Sequence, residues 1–290
     1  MHRSSFSSQA GTCSGGGDAP RWIQVRRCRQ SCPPLAAPGM NTLPASGAPT
    51  ATPAEGALQN ATGTEASSFA PACTPDGLAL YYAHRAGEFE EAYRIPERKA
   101  DLAQLADLLR ELVAGERVLE VACGTGYWTQ AMAATASTIL ATDINEPMLA
   151  LARQRNYGRA RVEFAAADAW HLEGRAGDFT TGASMFWWSH LPRSRISNFL
   201  TGFHACLQPG ARVVFADHLP TDCRWMPPAC VDAEGNTYQR RCLHSGEVFN
   251  IIKNYPDESE VRAALAGLAT EVHYTRLANV WLLDYRAVVT

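Results

Sequence analysis

Blocks of apolar and polar residues alternate along the middle of this chain in lengths that fit short strands and helices. Apolar runs predict five strands, at residues 117–122, 138–142, 162–165, 181–187 and 212–216. Segments of helical periodicity lie between most of them, at residues 127–134, 147–154 and 194–207. Such alternation is typical of a parallel sheet covered by helices on both faces.

Both flanks of this region depart from the alternation. Two helical segments precede it and are broken near Pro96, and in the second one leucines recur at helical spacing to form one apolar face. After it, a helix is expected at 257–265, followed by strands at 270–277 and 280–289. Too few residues separate these two strands for a parallel crossover, so we predict an antiparallel hairpin at the end of the sheet.

Residues 1–75 differ in composition from the rest of the chain. They are rich in Ser, Gly, Pro and Ala and lack apolar periodicity, so we expect a disordered extension before a single domain at 76–290. The basic stretch at 21–30 fits either an organelle-targeting peptide or an over-annotated start with Met40 as the initiator, and we favour the second interpretation.

The bulk composition narrows the range of partners. The net charge is −3, which gives no reason to expect nucleic acid, and no apolar run approaches the about 20 residues of a membrane helix. None of the nine cysteines forms a Cys-x-x-Cys pair. We therefore expect reduced thiols in a cytoplasmic protein and no metal. We also expect a monomer or a homodimer.

The first strand and turn, "RVLEVACGTGYWT", suggest a nucleotide-type cofactor, because ligands of such sheets bind at the carboxyl ends of the strands. A dinucleotide would require Gly-x-Gly-x-x-Gly. After Gly124 and Gly126 the third glycine position holds Thr129, and the frame one step earlier reaches Tyr127. A nicotinamide oxidoreductase is therefore disfavoured.

Acidic residues at or after three successive strands suit a different ligand. Glu120 ends the first strand and could face an ammonium group, Asp143 could accept hydrogen bonds from ribose hydroxyls, and Asp168 could accept one from an exocyclic amine. Ammonium, ribose and adenine together describe S-adenosylmethionine.

At this point the chain resembles a known family. "VLEVACGTGYWT", "ATDINEPMLALAR" and "FAAADAWHL" are similar, in this order and spacing, to the cofactor motifs of class I S-adenosylmethionine-dependent methyltransferases. The resemblance extends over about residues 78–289. It implies a Rossmann-like, doubly wound, mostly parallel seven-stranded sheet with a C-terminal antiparallel hairpin, and S-adenosylmethionine as the cofactor.

The resemblance also assigns roles by position. Glu120 would lie near the methionine moiety, Gly124 and Gly126 would line the cofactor, and Asp143 would bind the ribose. Ala122 stands where the family has its first glycine, which is tolerable if φ there is negative. The remaining contacts would be to the adenine and near the reacting methyl group, from Ile144, Met148, Asp168, Ala169, Phe186 and Trp187.

The first helical segment carries "YYAHRAGEFEEAY", which places Tyr82, Arg85, Phe89 and Tyr93 near one helical face. Many members of the family cover the methionine end of the cofactor with an aromatic residue from such a helix. Tyrosine hydroxyls and a guanidinium could also bind the cofactor carboxylate, so we include Tyr82, Arg85 and Tyr93 in the cofactor site. A surface helix that simply packs on the sheet is an equally good interpretation of any one of them.

The candidate base is His190, in "FWWSHLP" after the fourth strand, where the acceptor must meet the methyl group. Imidazole titrates near neutral pH, so it could take a proton from a hydroxyl acceptor. The plain alternative is a loop histidine that caps the next helix. Asp217 and His218, which follow the fifth strand, are the other candidates.

Residues 218–255 read as an inserted hairpin over the acceptor site, with strand-like runs at 237–243 and 247–253. Aromatic side chains and arginine in this insertion suit a small acceptor with an apolar body and an anionic group. The candidate pocket residues are Trp225, Met226, Tyr238, Arg240 and Arg241. An edge hairpin or a dimer contact would account for the insertion equally well.

These observations leave two main hypotheses. The first is a methyltransferase that acts on oxygen or nitrogen of a small molecule. The second is a regulatory module that binds S-adenosylmethionine without catalysis. A nucleic-acid or protein methyltransferase is a weaker alternative, because the fourth strand lacks the Asn- or Asp-Pro-Pro-aromatic motif common in enzymes that methylate nucleobase amines.

Overall fold

A computed structural model of the chain describes residues 77–172, 179–220 and 226–288. The expected disordered extension at 1–75 and the candidate pocket residue Trp225 lie outside these ranges. All structural statements below concern the described residues.

Ten strands form two sheets. Their bounds are β1 (Arg117–Val121), β2 (Thr138–Asp143), β3 (Arg161–Ala166), β4 (Phe179–Met185), β5 (Leu207–His218), β6 (Cys230–Val231), β7 (Thr237–Cys242), β8 (Val248–Ile252), β9 (Ala269–Arg276) and β10 (Val280–Ala287). The main sheet has the order β3-β2-β1-β4-β5-β10-β9. Strands β1 to β5 pair in parallel, whereas β10 is antiparallel to both β5 and β9. The predicted seven-stranded sheet and its terminal hairpin are confirmed.

Six α-helices accompany the strands: α1 (Leu78–Arg85), α2 (Lys99–Leu112), α3 (Tyr127–Met132), α4 (Glu146–Ala152), α5 (Ile196–His204) and α6 (Glu258–Ala264). Short 3-10 helices occupy Ala86–Tyr93, Pro96–Arg98, Trp188–His190 and Arg193–Arg195. The predicted break near Pro96 is present, because a proline forces the preceding residue out of helical geometry and Ile95 is extended.

Several predicted boundaries differ from the structure; the fourth strand, for example, ends at Met185 and not at Trp187. The fifth helix begins at Ile196 rather than at 194, because a 3-10 turn occupies Arg193–Arg195. The turn predicted at 208–210 lies within β5, where the pairing with β4 jumps from Leu207 to Arg212. The jump is a local bulge, and Gly210 within it has a φ of +74°.

The core lies on both faces of the main sheet. One face packs the aromatic side chains of α5 against the sheet, including Phe199, Phe203 and Phe215. The other face packs α2 and α3 against it, through residues such as Leu105 and Met132. Full burial of each such side chain contributes about 1.5–3 kcal/mol, so both helical layers are firmly held.

A third apolar cluster joins the N-terminal segment to the small sheet of β6, β7 and β8. Tyr81 on α1 packs against Phe249 and Ile251 of β8. Polar contacts continue this interface, since His84 Nδ1 lies 3.1 Å from Glu247 Oε1 and His244 Nε2 lies 3.4 Å from carboxylate oxygens of Glu88 and Glu91. The predicted strands at 237–243 and 247–253 are present as β7, which ends one residue earlier, and β8, which is one residue shorter at each end.

The cysteines differ in part from the expectation. Cys123 and Cys206 are buried thiols, but Cys230 is disulfide-bonded, so the prediction that all nine are reduced was wrong. Among the described helices, none is both long and apolar enough to span a membrane.

We expect Gly182→Ala to destabilise the fold by about 1–3 kcal/mol, the usual cost of overpacking a core. An added Cβ at this buried position of β4 would lie 2.7 Å from Phe203 Cζ and 2.8 Å from Leu207 Cδ1. Gly202→Ala is the matched control, because it lies in exposed α5 surface with nothing within 4 Å. Urea unfolding should show a loss for Gly182→Ala and a neutral or stabilising effect for Gly202→Ala. Equal stability of both variants would contradict this account of the β4–α5 packing.

Candidate active site

A cavity of about 650 Å³ opens at the carboxyl ends of β1, β2, β4 and β5 and is the candidate site. Its volume falls in the range of small-molecule pockets. Of the predicted site residues, all except Glu120 and Gly126 line it: Tyr82, Arg85, Tyr93, Ala122, Gly124, Asp143, Ile144, Met148, Asp168, Ala169, Phe186, Trp187 and His190.

Glu120 lies below the cavity rather than in its wall. The side chain is buried, and Thr129 Oγ1 of α3 donates a 2.5 Å hydrogen bond to its Oε2. Burial raises the pKa of Glu120 to about 8, the hydrogen bond from Thr129 opposes the rise and Asp143 adds to it. In this arrangement the carboxyl group connects β1 to α3 and does not border the cavity.

Gly126 shapes the turn without reaching the cavity. Its φ is +75°, and a Cβ there would lie 2.3 Å from the hydroxyl oxygen of Tyr157. Both the backbone conformation and the contact require glycine at this position. Gly126 therefore has a structural role in the loop that leads into α3.

Asp143 holds the glycine loop in place. Its Oδ2 accepts a 2.8 Å hydrogen bond from the Gly124 N–H, and its Oδ1 accepts one of 2.8 Å from the Asn145 N–H. Burial raises the pKa of Asp143, and these two backbone donors oppose the rise. The carboxylate borders the cavity while fixing the β1–α3 and β2–α4 turns relative to each other.

Two cavity residues have strained backbones. Ala122 has a φ of +57° and Phe186 has a φ of +61°, a region that costs a non-glycine residue of the order of 1–3 kcal/mol. The condition of a negative φ, stated above for alanine at 122, is therefore not met. Both residues follow the carboxyl ends of the paired strands β1 and β4, so the strain is concentrated at the cavity wall.

At the other side of the cavity, His190 is bound at both ring nitrogens. Its Nδ1 lies 2.7 Å from the Ile252 carbonyl, which can only accept, so Nδ1 donates and Nε2 accepts the hydrogen bond from the Tyr82 hydroxyl at 2.7 Å. Burial, and then the charge of Lys253, lower the pKa of His190 to about 3. The expectation of an imidazole that titrates near neutral pH was wrong, because the ring is fully enclosed.

A buried ionic cluster lies behind His190. Lys253 Nζ donates to Ser189 Oγ at 2.6 Å and lies 3.2 Å from Asp217 Oδ1 and 3.2 Å from His218 Nδ1. Burial by itself would raise the pKa of Asp217, but the Lys253 charge and hydrogen bonds from His218 and Ser189 hold it below its usual range. Of the two alternative bases, His218 lines the cavity and Asp217 does not.

The insertion supplies part of the predicted acceptor wall. Met226, Tyr238 and Arg241 line the cavity, whereas Arg240 is exposed on the neighbouring position of β7 and does not.

Sequence reasoning missed several cavity residues, namely Asn145, Trp170, Arg195, Lys253 and Tyr255. A charged residue at the end of the apolar run "VFNIIK" was the available signal for Lys253. Arg195 stacks on Trp170, with its guanidinium carbon 3.8 Å from the ring centroid, and no local pattern indicates that pairing.

The comparisons with known proteins agree with this geometry. The sequence model of a family described as "Methyltransferase domain" matches residues 118–210. The solved structure titled "DhpI-SAH complex structure" has 26% identity and a TM-score of 0.58, over 73% of this chain and 96% of that one. The matched domain and the fold are those of the class I S-adenosylmethionine-dependent methyltransferases.

Two curated relatives match a shorter segment. A demethylmenaquinone methyltransferase of Clavibacter sepedonicus is 36% identical over 107 residues, which is 36% of this chain and 42% of the relative. A ubiquinone biosynthesis O-methyltransferase of Azotobacter vinelandii is 31% identical over 112 residues, 36% of this chain and 45% of the relative. The match therefore spans less than half the length of these curated methyltransferases.

The cavity suits the family's cofactor, S-adenosylmethionine. Asp143 offers carboxylate oxygens for ribose hydroxyls, and Asp168 lies at the end of the loop after β3. Ile144 is a large apolar side chain in the cavity wall that is 53% exposed, and it offers a surface against which an adenine ring could lie. Gly124, with a φ of +56°, leaves the wall open at the methionine end, where Phe89 lies 3.6 Å from the position that a Cβ would occupy.

We expect Asp143→Ala to weaken S-adenosylhomocysteine binding by about 1.5–3 kcal/mol, the size of a lost charged hydrogen bond. Because Asp143 also accepts from Gly124 and Asn145, the melting temperature should fall as well. Titration calorimetry and thermal melts measure the two effects. Glu146→Ala is the control, since Glu146 is exposed and pairs with Arg153 outside the cavity. Unchanged affinity in Asp143→Ala would contradict the ribose assignment.

Proposed function

We propose that this methyltransferase transfers the methyl group of S-adenosylmethionine to a hydroxyl group of a small-molecule acceptor. The observation that carries the proposal is the hydrogen bond between Tyr82 and His190, which both border the cavity. Together, the hydroxyl and the imidazole could take up a proton from a ligand in the cavity. A hydroxyl acceptor must lose a proton, whereas a neutral amine requires little help. The two curated relatives are named as methyltransferases of quinone biosynthesis, and one name specifies oxygen, which supports a small acceptor.

The cofactor, when bound, supplies a methyl group activated by the positive charge on its sulfur. The Tyr82 hydroxyl donates its hydrogen bond to His190, which leaves the lone pairs of the Tyr82 oxygen free to take the proton of the substrate hydroxyl. As that proton arrives on the Tyr82 oxygen, the Tyr82 proton passes to His190 Nε2. The Ile252 carbonyl keeps the imidazole in the required tautomer throughout.

The structure around this pair would align the cofactor with the acceptor and keep water away from them. The N-terminal segment, with Tyr82 and Tyr93, and the small sheet, with Tyr238 and Arg241, enclose the cavity from the side opposite the main sheet. An in-line displacement needs the two reacting groups held in one geometry and shielded from competing water. We propose that residues 218–255 act as this cover over the acceptor.

A direct test separates catalysis from binding alone. The purified chain should incorporate label from methyl-labelled S-adenosylmethionine into a compound of a fractionated small-metabolite extract, and mass spectrometry should locate the label on oxygen. A protein that binds S-adenosylhomocysteine but methylates nothing would favour the regulatory module. Label on nitrogen would contradict the hydroxyl proposal while preserving the methyltransferase activity.

We expect Tyr82→Phe and His190→Ala each to lower kcat on a hydroxyl acceptor by about 100- to 10,000-fold, the contribution of general-base assistance. Because the two groups act as one chain, the double variant should lose little more than either single variant. S-adenosylhomocysteine affinity should change little in His190→Ala. Tyr81→Phe is the control, since Tyr81 is buried against Phe249 and does not line the cavity.

The pH profile checks the same assignment. His190 has its pKa near 3, so it stays neutral throughout pH 5–8 and would hold the acceptor's proton only transiently during methyl transfer. Protonation of His190 would abolish the pathway only as the pH falls toward 3. The kcat profile of the wild-type enzyme should therefore lack an inflection near 6.5. An inflection there that disappears in His190→Ala would show that the imidazole titrates as an exposed histidine does, against this assignment.

A further inference from the structure

Two arginines in the cavity wall lack an acidic partner. Arg85 stacks with its guanidinium carbon 5.6 Å from the ring centroids of Tyr81 and Phe89. Arg241 donates from Nη2 to Gln239 Oε1 at 2.6 Å. Within the described part of the chain, neither guanidinium forms an ion pair. By contrast, the cavity-lining Lys253 is matched by Asp217.

Arg241 also leaves a hydrogen-bond donor unsatisfied. Its Nε is buried and has no partner among the described residues, and the same is true of Trp187 Nε1. Both side chains line the cavity, and Trp187 lies near His190, with ring centroids 6.2 Å apart. A buried donor without a partner costs about 1–3 kcal/mol, so two of them in one cavity wall point to a ligand that accepts.

The two arginines reach the cavity wall from different elements. Arg85 contacts Phe89, whose ring lies 3.6 Å from where a Cβ of Gly124 would be, which places it on the side of the glycine loop. Arg241 belongs to β7 of the inserted sheet, and its positive charge contributes to lowering the pKa of His190. Arg85 is therefore suited to the cofactor's carboxylate, and Arg241 is left without a cofactor group to bind.

We infer that Arg241 binds an anionic group, a carboxylate or a phosphoryl group, on the methyl acceptor, with Trp187 as a second donor. The inference rests on the proposed function and specifies its substrate class. A guanidinium is the side chain best suited to planar or tetrahedral oxyanions, because its donors form a rigid fork. The anion would balance the charge of Arg241, and it would hold the acceptor hydroxyl toward Tyr82 and His190.

The test measures binding of three probes of similar shape, namely benzoate, phenyl phosphate and the neutral benzamide. Calorimetry on the full chain saturated with S-adenosylhomocysteine should show at least one anion binding about tenfold or more tightly than benzamide. Arg241→Met should remove most of that preference, a loss of about 10- to 100-fold for a charged hydrogen bond, and Arg241→Lys should retain part of it. The tighter of the two anions then identifies the group, carboxylate or phosphoryl, that the site prefers.

Two arginine variants serve as controls. Arg240→Met, on the exposed neighbouring position of β7, should leave all three probes unaffected. Arg85→Met should weaken S-adenosylhomocysteine by about tenfold or more and leave the probes unaffected. Melting temperatures of each variant establish that the fold is intact.

Several outcomes would overturn the inference. They are equal binding of benzamide and both anions, no detectable anion binding, and an Arg241→Met variant that loses S-adenosylhomocysteine instead of the probes. The same measurements without S-adenosylhomocysteine distinguish failure of the anion site from failure of the proposed methyltransferase function. A chain that binds an anionic probe through Arg241 but never binds S-adenosylhomocysteine would refute the methyltransferase activity and preserve the anion site.

Discussion

The ion pair between Lys253 and Asp217 is the interaction on which the acceptor side of this enzyme depends. Asp217 is near the end of β5 in the main sheet, and Lys253 immediately follows β8 of the inserted sheet. Both are almost completely buried, and Ser189 and His218 complete the hydrogen bonding. Removing one member of such a pair leaves an uncompensated charge in the interior, which is far more costly than the pair itself. The inserted sheet is therefore held at one position over the cavity.

Much of this architecture follows from local sequence. The runs that become β1 and β2 are mostly apolar, as is usual for strands buried on both faces, and the acids and glycines at their ends mark the turns. The residues predicted for the cofactor half could be chosen for this reason, and most of them line the cavity. Glu120 shows the limit of the method, because its motif position suggested a ligand contact. The hydroxyl of Thr129, which lies one helical turn into α3, binds that carboxylate instead.

The acceptor half of the site was harder to predict from the sequence, because it is assembled from segments that are far apart in the chain. His190 was identified from its place after β4, but its protonation state depends on Ile252, Tyr82 and Lys253. These contacts exist only after the insertion and the N-terminal segment have packed together. Neither propensity nor periodicity contains that information, so the sequence could indicate a histidine at the site without indicating that it stays neutral.

Tyr82 is part of the segment that covers the cavity, and in the proposed mechanism it is also one half of the proton pathway. Its ring packs with Tyr81 in the same apolar cluster that fastens α1 to β8. Entry or exit of a ligand that displaces this segment would also carry the hydroxyl away from His190. In the proposed mechanism, closure of the cavity and assembly of the proton pathway are therefore one event. Water that reached the activated methyl group in an open cavity would meet no assembled base.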